Sequence, residues 1–151
     1  MNIRGESFET TMIDLSTPFG QAVNRHLEAE YVVWLTTIDS NLTPQPRPVW
    51  FIWEQNSFLI FSKPDAHKVG HIEKNPRVAL NFNTDETGDK HVMIFTGEAF
   101  FDKNCPPAHE VPVYLKKYES GIIALDMTPE GFSVEYSRAI RIKPTNVRGW
   151  E

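Results

Sequence analysis

At 151 residues, with 40% hydrophobic, 12% aromatic and 23% charged side chains, the chain has the size and composition of one ordinary domain that builds its own core. Fifteen Lys and Arg against twenty Asp and Glu give a net charge of -5 and a pI near 5.5, which argues against a nucleic-acid partner. The single cysteine, Cys105, excludes an internal disulfide and suits a reducing compartment.

Residues 1–15 read as a loose arm without the apolar core of a signal peptide, and no later stretch is long enough to cross a bilayer. The expectation is a cytoplasmic protein with no membrane partner. Thr17-Pro18 is a helix start, and Phe19, Ala22, Val23 and Leu27 recur at helical spacing to about Glu30. From Tyr31 the texture turns to strand. Tyr31–Ile38 is rich in β-branched and aromatic residues, and Asp39-Ser40-Asn41 has turn chemistry. A second strand over 45–54 sets Arg47, Val49, Phe51 and Trp53 on one face and Pro48, Trp50 and Ile52 on the other. Gln55-Asn56 turns tightly into a third strand, Ser57–Ser62. Both faces of these strands are apolar, so burial on two sides is expected.

Asp65 is placed to cap a short helix ending near Lys74, before Asn75-Pro76. Strands follow at Arg77–Phe82 and His91–Lys103, the latter with Gly97 inside it as a bulge or close approach. Prolines 106, 107 and 112 break up the next segment, with a helix expected over Val113–Glu119, another from Thr128-Pro129, and a last strand at Arg138–Lys143. Eleven prolines and eight glycines favour strands and turns over a helical bundle. The pattern is mainly β, one domain over residues 1–151, with a barrel favoured over a sandwich and helices on its flanks. No dinucleotide, P-loop or nucleophile-elbow glycine pattern is present.

Three constellations carry chemistry. Arg47, Ser62 and Lys68 come from two strands and the helix between them and the next strand. Two cations, a hydroxyl and helix N–H groups would suit a phosphate monoester; the alternative is two solvated charges and a strand-end cap. Trp50, Phe51, Trp53, Phe58 and Phe61 could wall a flat ring or simply pack the core. His67 and His71 share a helical face and make half a metal site, but no third ligand is placed, so no metal is expected. At the end of the chain, Arg148-Gly149-Trp150 either closes over a neighbour's pocket or pins the terminus.

Two runs go further. Residues 43–52 (TPQPRPVWFI) and 61–80 (FSKPDAHKVGHIEKNPRVAL) resemble the flavin-binding core of the pyridoxamine phosphate oxidase-like superfamily, and the likeness extends from Tyr31 to Phe101. The resemblance implies a six-stranded split barrel of the FMN-binding type and a homodimer with the cofactor at the subunit interface. It also implies an oxidoreductase acting on a small-molecule substrate, or, as the alternative, a non-catalytic flavin- or haem-binding module. By resemblance Arg47 and Lys68 bind the flavin phosphate, Ser62 adds a hydroxyl, and Pro48, Val49 and Trp50 lie along the isoalloxazine ring. Phe61 and His67 take neighbouring cofactor contacts, and no residue is assigned as catalytic. The family's substrate-phosphate lysine is replaced by Ile52, and Cys105-Pro106-Pro107 interrupts its substrate helix, so pyridoxamine phosphate is not the expected substrate. The run 47–51 and the closing residues 144–150 are more similar to a subgroup using the deazaflavin coenzyme F-420, the alternative to FMN.

Overall fold

The structure, a computed structural model, describes residues 13–151, so the first twelve residues of the expected arm lie outside it. Helix α1 spans Pro18–Ala29 and begins as its sequence predicts, with the Thr17 hydroxyl accepting the Gly20 N–H at 3.0 Å. Strands β1 (Val32–Ile38), β2 (Pro44–Trp50), β3 (Ile52–Glu54) and β4 (Ser57–Ser62) follow. Helix α2 (His67–Lys74) leads to β5 (Arg77–Asn81) and β6 (Val92–Phe101). A short 3-10 turn precedes α3 (Pro112–Ala124) and α4 (Pro129–Glu135), and β7 (Arg138–Trp150) closes the chain.

The seven strands form one antiparallel sheet in the order β2-β1-β5-β6-β7-β4-β3. The strand expected over 45–54 is therefore two strands, and the sheet has seven strands rather than six. Phe51 is the break between them. β2 pairs with β1 while β3 pairs with β4, so one continuous segment supplies both edges of the sheet and curls it into a split barrel. The break is held from a distance. Phe51 N–H donates to the Tyr118 hydroxyl at 2.8 Å, and the Phe51 carbonyl accepts from Lys117 Nζ at 2.9 Å and lies 2.8 Å from the same hydroxyl. Backbone groups that lost a ladder partner thus find one on α3. Lys117 also sits 4.0 Å over the Phe51 ring, and burial pushes its ammonium down to about 8, with Glu30 opposing the shift.

The two-sided burial read from the strands has two separate destinations. Val33, Leu35, Phe51, Phe58, Ile60, Phe95 and Ile142 fill the barrel, and Ala22, Val23 and Leu27 of α1 cover it. Ile52, Leu59 and Phe61 point the other way, against Tyr114, Tyr118 and Ile122 of α3 and Phe132 of α4. Gln55 and Asn56 both have positive φ, at 55° and 57°, as a tight two-residue hairpin turn requires. Gly97 sits at a register shift in the β6–β7 ladder, where an added Cβ would collide with the Lys143 carbonyl.

Three expectations need correction. Asp65 does not cap α2; the N-cap is Ala66, with no side-chain bond. The helix expected over Val113–Glu119 is longer, at Pro112–Ala124, because Tyr114, Tyr118 and Ile122 form a buried stripe that carries it past Glu119. The last strand runs to Trp150 rather than Lys143, paired with β6 throughout; Trp150 Nε1 donates to the Asp89 carbonyl at 2.6 Å, so the tail is pinned within its own subunit. Among the described residues, no helix is long and apolar enough to cross a membrane.

Replacing Tyr118 by Phe leaves the Phe51 N–H buried without an acceptor. It should cost about 1–3 kcal/mol in chemical denaturation. An unchanged midpoint would show that water substitutes freely and that α3 does not hold the break.

Candidate cofactor-binding cleft

Two hollows meet at the first turn of α2. The first, about 350 Å3, is lined by Val49 and Trp50 of β2, Phe61 and Ser62 of β4, Tyr114 of α3, and Phe132 and Tyr136 around α4. The second, about 580 Å3, is more polar and holds Thr37, Asp39, Gln45, Arg47, His67 and His71. Pro48 and Lys68 line both. A larger open depression of about 670 Å3 lies beside the β1–β2 turn, but Asp39, Asp65 and Glu73 face it and make it a poor seat for an anion.

The structure thus brings Lys68 to Arg47 on one side and to Ser62 on the other, while Arg47 and Ser62 stand in different hollows. His67 joins Arg47 in the polar basin. Pro48, Val49, Trp50, Phe61 and Ser62 line the apolar cleft. Ser62 is buried, and its hydroxyl donates to the Lys63 carbonyl at 2.9 Å. His71 is held by Thr37 Oγ1 at 2.8 Å from its Nδ1.

Arg47 and Lys68 are not paired at the junction, although Asp39 lines the same basin. Among the described residues neither Lys68 nor Arg47 forms an ion pair, and Arg47 Nη1 donates only to its neighbour's carbonyl, Pro46 O, at 2.8 Å. Burial holds the Lys68 ammonium below the usual lysine range, and the Arg47 guanidinium pushes it further the same way. Two cations crowded together without an ion-pair partner make a site that a phosphate would relieve. The first turn of α2 adds N–H groups beside them.

The apolar wall is aromatic and rigid. Trp50 stacks on Tyr118 with centroids 4.6 Å apart and lies 5.8 Å from Phe132. Gly121 lets α3 come this close, since a Cβ there would meet the Trp50 ring at 2.9 Å. As an edge strand, β2 leaves alternate backbone groups free of the ladder. Pro44, Pro46 and Pro48 remove N–H donors from that strand, which discourages pairing with another chain and leaves carbonyls available to a ligand.

One polar atom in the cleft has no partner. Tyr114 is 1% exposed, and its hydroxyl makes no hydrogen bond. Burial, reinforced by Tyr118 and other nearby tyrosines, pushes that hydroxyl above the usual tyrosine range, so it is a neutral donor. The Tyr114 side chain lines the cleft, while its hydroxyl is buried without a hydrogen-bond partner among the described residues.

The family model described as pyridoxamine 5'-phosphate oxidase matches residues 19–151. The chain belongs to the pyridoxamine 5'-phosphate oxidase family, whose split barrel is a flavin-binding fold. No curated protein matches it. Among solved structures, it resembles a putative pyridoxamine 5'-phosphate oxidase from Listeria innocua at 19% identity and a TM-score of 0.63, covering 85% of this chain and 94% of that one. An F420 reductase matches at 22% identity and a TM-score of 0.60, over 83% and 94% of the two chains. The haem storage protein HutZ from Vibrio cholerae matches at 15% and 0.61, over 85% and 92%. At these identities the likeness is one of fold.

Family membership sharpens the departure at Ile52. It is 2% exposed and packed beneath the α3–α4 layer, so that position offers no charge to a substrate phosphate. Tyr114, Phe132 and Tyr136 had no sequence motif to announce them; the one available signal was the recurrence of Tyr114 and Tyr118 four apart, on one helical face.

Replacing Tyr114 by Phe should leave the melting temperature of the ligand-free protein unchanged or raise it, because it deletes an unsatisfied buried hydroxyl. A clear drop would mean that the hydroxyl already has a structural partner.

Proposed function

We propose that the protein is a flavin- or deazaflavin-dependent oxidoreductase that binds FMN, or the deazaflavin, across the Lys68 junction and acts on a small planar substrate. The observation that carries this reading is the half-buried Lys68 ammonium, set between an unpaired guanidinium and a cleft walled by aromatic side chains. Few ligands combine a phosphate with a flat ring of that size, and the family's cofactor is one of them.

The roles divide by chemistry. Lys68 and Arg47 hold the phosphate, helped by the N–H groups at the start of α2. Trp50, Phe61 and Pro48 give the ring its walls. Tyr114 would line the buried side of the ring. The α3–α4 layer keeps water from the buried side of the cleft. The cofactor supplies hydride or electron chemistry itself, so no side chain is given a catalytic role. The homodimer that the family resemblance implies would set a second copy of the chain against the rim of the cleft, where Leu125 is exposed.

A carrier that binds flavin without turnover is separated from an enzyme by kinetics. In the enzyme, a nicotinamide nucleotide or a partner reductase bleaches the bound flavin and an acceptor restores it; in the carrier neither happens.

In FMN titrations followed by flavin fluorescence, Lys68→Ala and Arg47→Ala should each weaken binding about tenfold or more, the scale of one charge-assisted phosphate contact. Losses below twofold in both would remove the phosphate site. Sedimentation of the same samples should give twice the chain mass, and a monomer with and without FMN would remove the dimer.

A further inference from the structure

A second cluster lies apart from the cleft, where the last turn of α1, the residue before β6 and the end of β7 come together. We propose that His26, His91 and Glu151 form a binding site for a borderline divalent transition ion such as zinc. Each offers one donor atom, and the three atoms lie within 4.8 Å of one another. None of the three lines either hollow at Lys68.

His26 is already oriented as a ligand. Its Nδ1 is 2.8 Å from Glu30 Oε2, so the carboxylate holds that nitrogen as N–H and leaves Nε2 with a free lone pair. A carboxylate behind an imidazole is the arrangement that fixes tautomer and ring angle in metal sites.

His91 and Glu151 supply the second indication. Nδ1 of His91 lies 3.2 Å from Glu151 Oε2, yet the pair lacks hydrogen-bond geometry, and that nitrogen is buried with no hydrogen-bond partner. Two ligands of a tetrahedral zinc, each about 2.0–2.1 Å from the ion, are about 3.3 Å apart. The spacing is therefore what two groups sharing an ion adopt. The other Glu151 oxygen, Oε1, is held by Arg25 Nη2 at 3.3 Å, which steadies the carboxylate while leaving Oε2 for the metal. The His26 and His91 rings are 5.2 Å apart and tilted by 43°, so flat stacking does not account for their approach.

Two imidazoles and one carboxylate, with no thiolate, select zinc, cobalt or nickel over calcium or magnesium, and leave a fourth position for water. Bound there, the ion would tie α1 to the end of the β6–β7 ladder where β6 begins and β7 finishes. The sequence alone pointed to no metal because it set only His67 beside His71; positions 26, 91 and 151 meet only once β6 and β7 are paired.

The test is zinc titration of the full-length, chelator-stripped protein by calorimetry, with metal content measured after gel filtration. One equivalent should bind and raise the melting temperature, and cobalt should give the visible absorption of a four- or five-coordinate site. His26→Gln and His91→Gln should each lose at least tenfold in zinc affinity while keeping the wild-type circular dichroism; His67→Gln should bind as wild type. No binding by the wild type at several equivalents of zinc overturns the site. So does binding that both His variants retain, or that His67→Gln abolishes.

Discussion

Phe51 belongs to neither of the strands it joins, and its backbone is held by a tyrosine hydroxyl and a lysine ammonium from a helix more than sixty residues away. Everything at the cleft follows from that break. Because β2 and β3 diverge there, a single segment lies along both edges of the sheet, and the barrel stays split. The open rim exposes the Pro48–Trp50 backbone, and β4 delivers Phe61, Ser62 and then α2 beside it. Had the ladder continued through Phe51, the rim would be closed and α3 would have no buried backbone to hold.

The same helix ties structure to chemistry. Tyr118 and Tyr114 sit four residues apart on one buried face of α3. One hydroxyl satisfies the break, and the other is left without a partner in the cleft. Under the proposed function, fold stability and ligand recognition use neighbouring turns of one element. Across the cleft, Lys68 loses water by burial and faces Arg47, so the ligand-free state carries a cost that an anion removes. Under the proposed function, that cost is what the phosphate of the cofactor relieves.

Much of this was legible in the sequence where the signal is local. Thr17-Pro18 specified a helix start, Gln55-Asn56 a hairpin turn, and Gly97 a close crossing, because each is decided by backbone chemistry within a few residues. The alternation in 45–54 separated Val49, Phe51 and Trp53, on the barrel side, from Trp50 and Ile52, on the side of α3. What stayed hidden depends on distant pairing. No local feature distinguishes Phe51 from its apolar neighbours, since its break is fixed by α3. Pro144 and Gly149 look like strand breakers, yet β7 continues through them: Pro144 falls opposite the Gly97 bulge, and Gly149 takes a φ of 145° against the Val92 carbonyl. Arg47, Ser62 and Lys68 were expected at one point; β2 pairs with β1 rather than with the strand of Ser62, and the fold sets Lys68 of α2 between two separate hollows.

The central claim is that an anion pocket at Lys68 anchors a flat ring in the adjoining cleft, and comparing FMN with riboflavin on the wild-type protein tests it most directly. The two ligands share the ring and the ribityl chain and differ only in the phosphate. FMN should bind at least about tenfold more tightly than riboflavin, with the gap narrowing as salt is added. Equal affinities for the two would contradict the account.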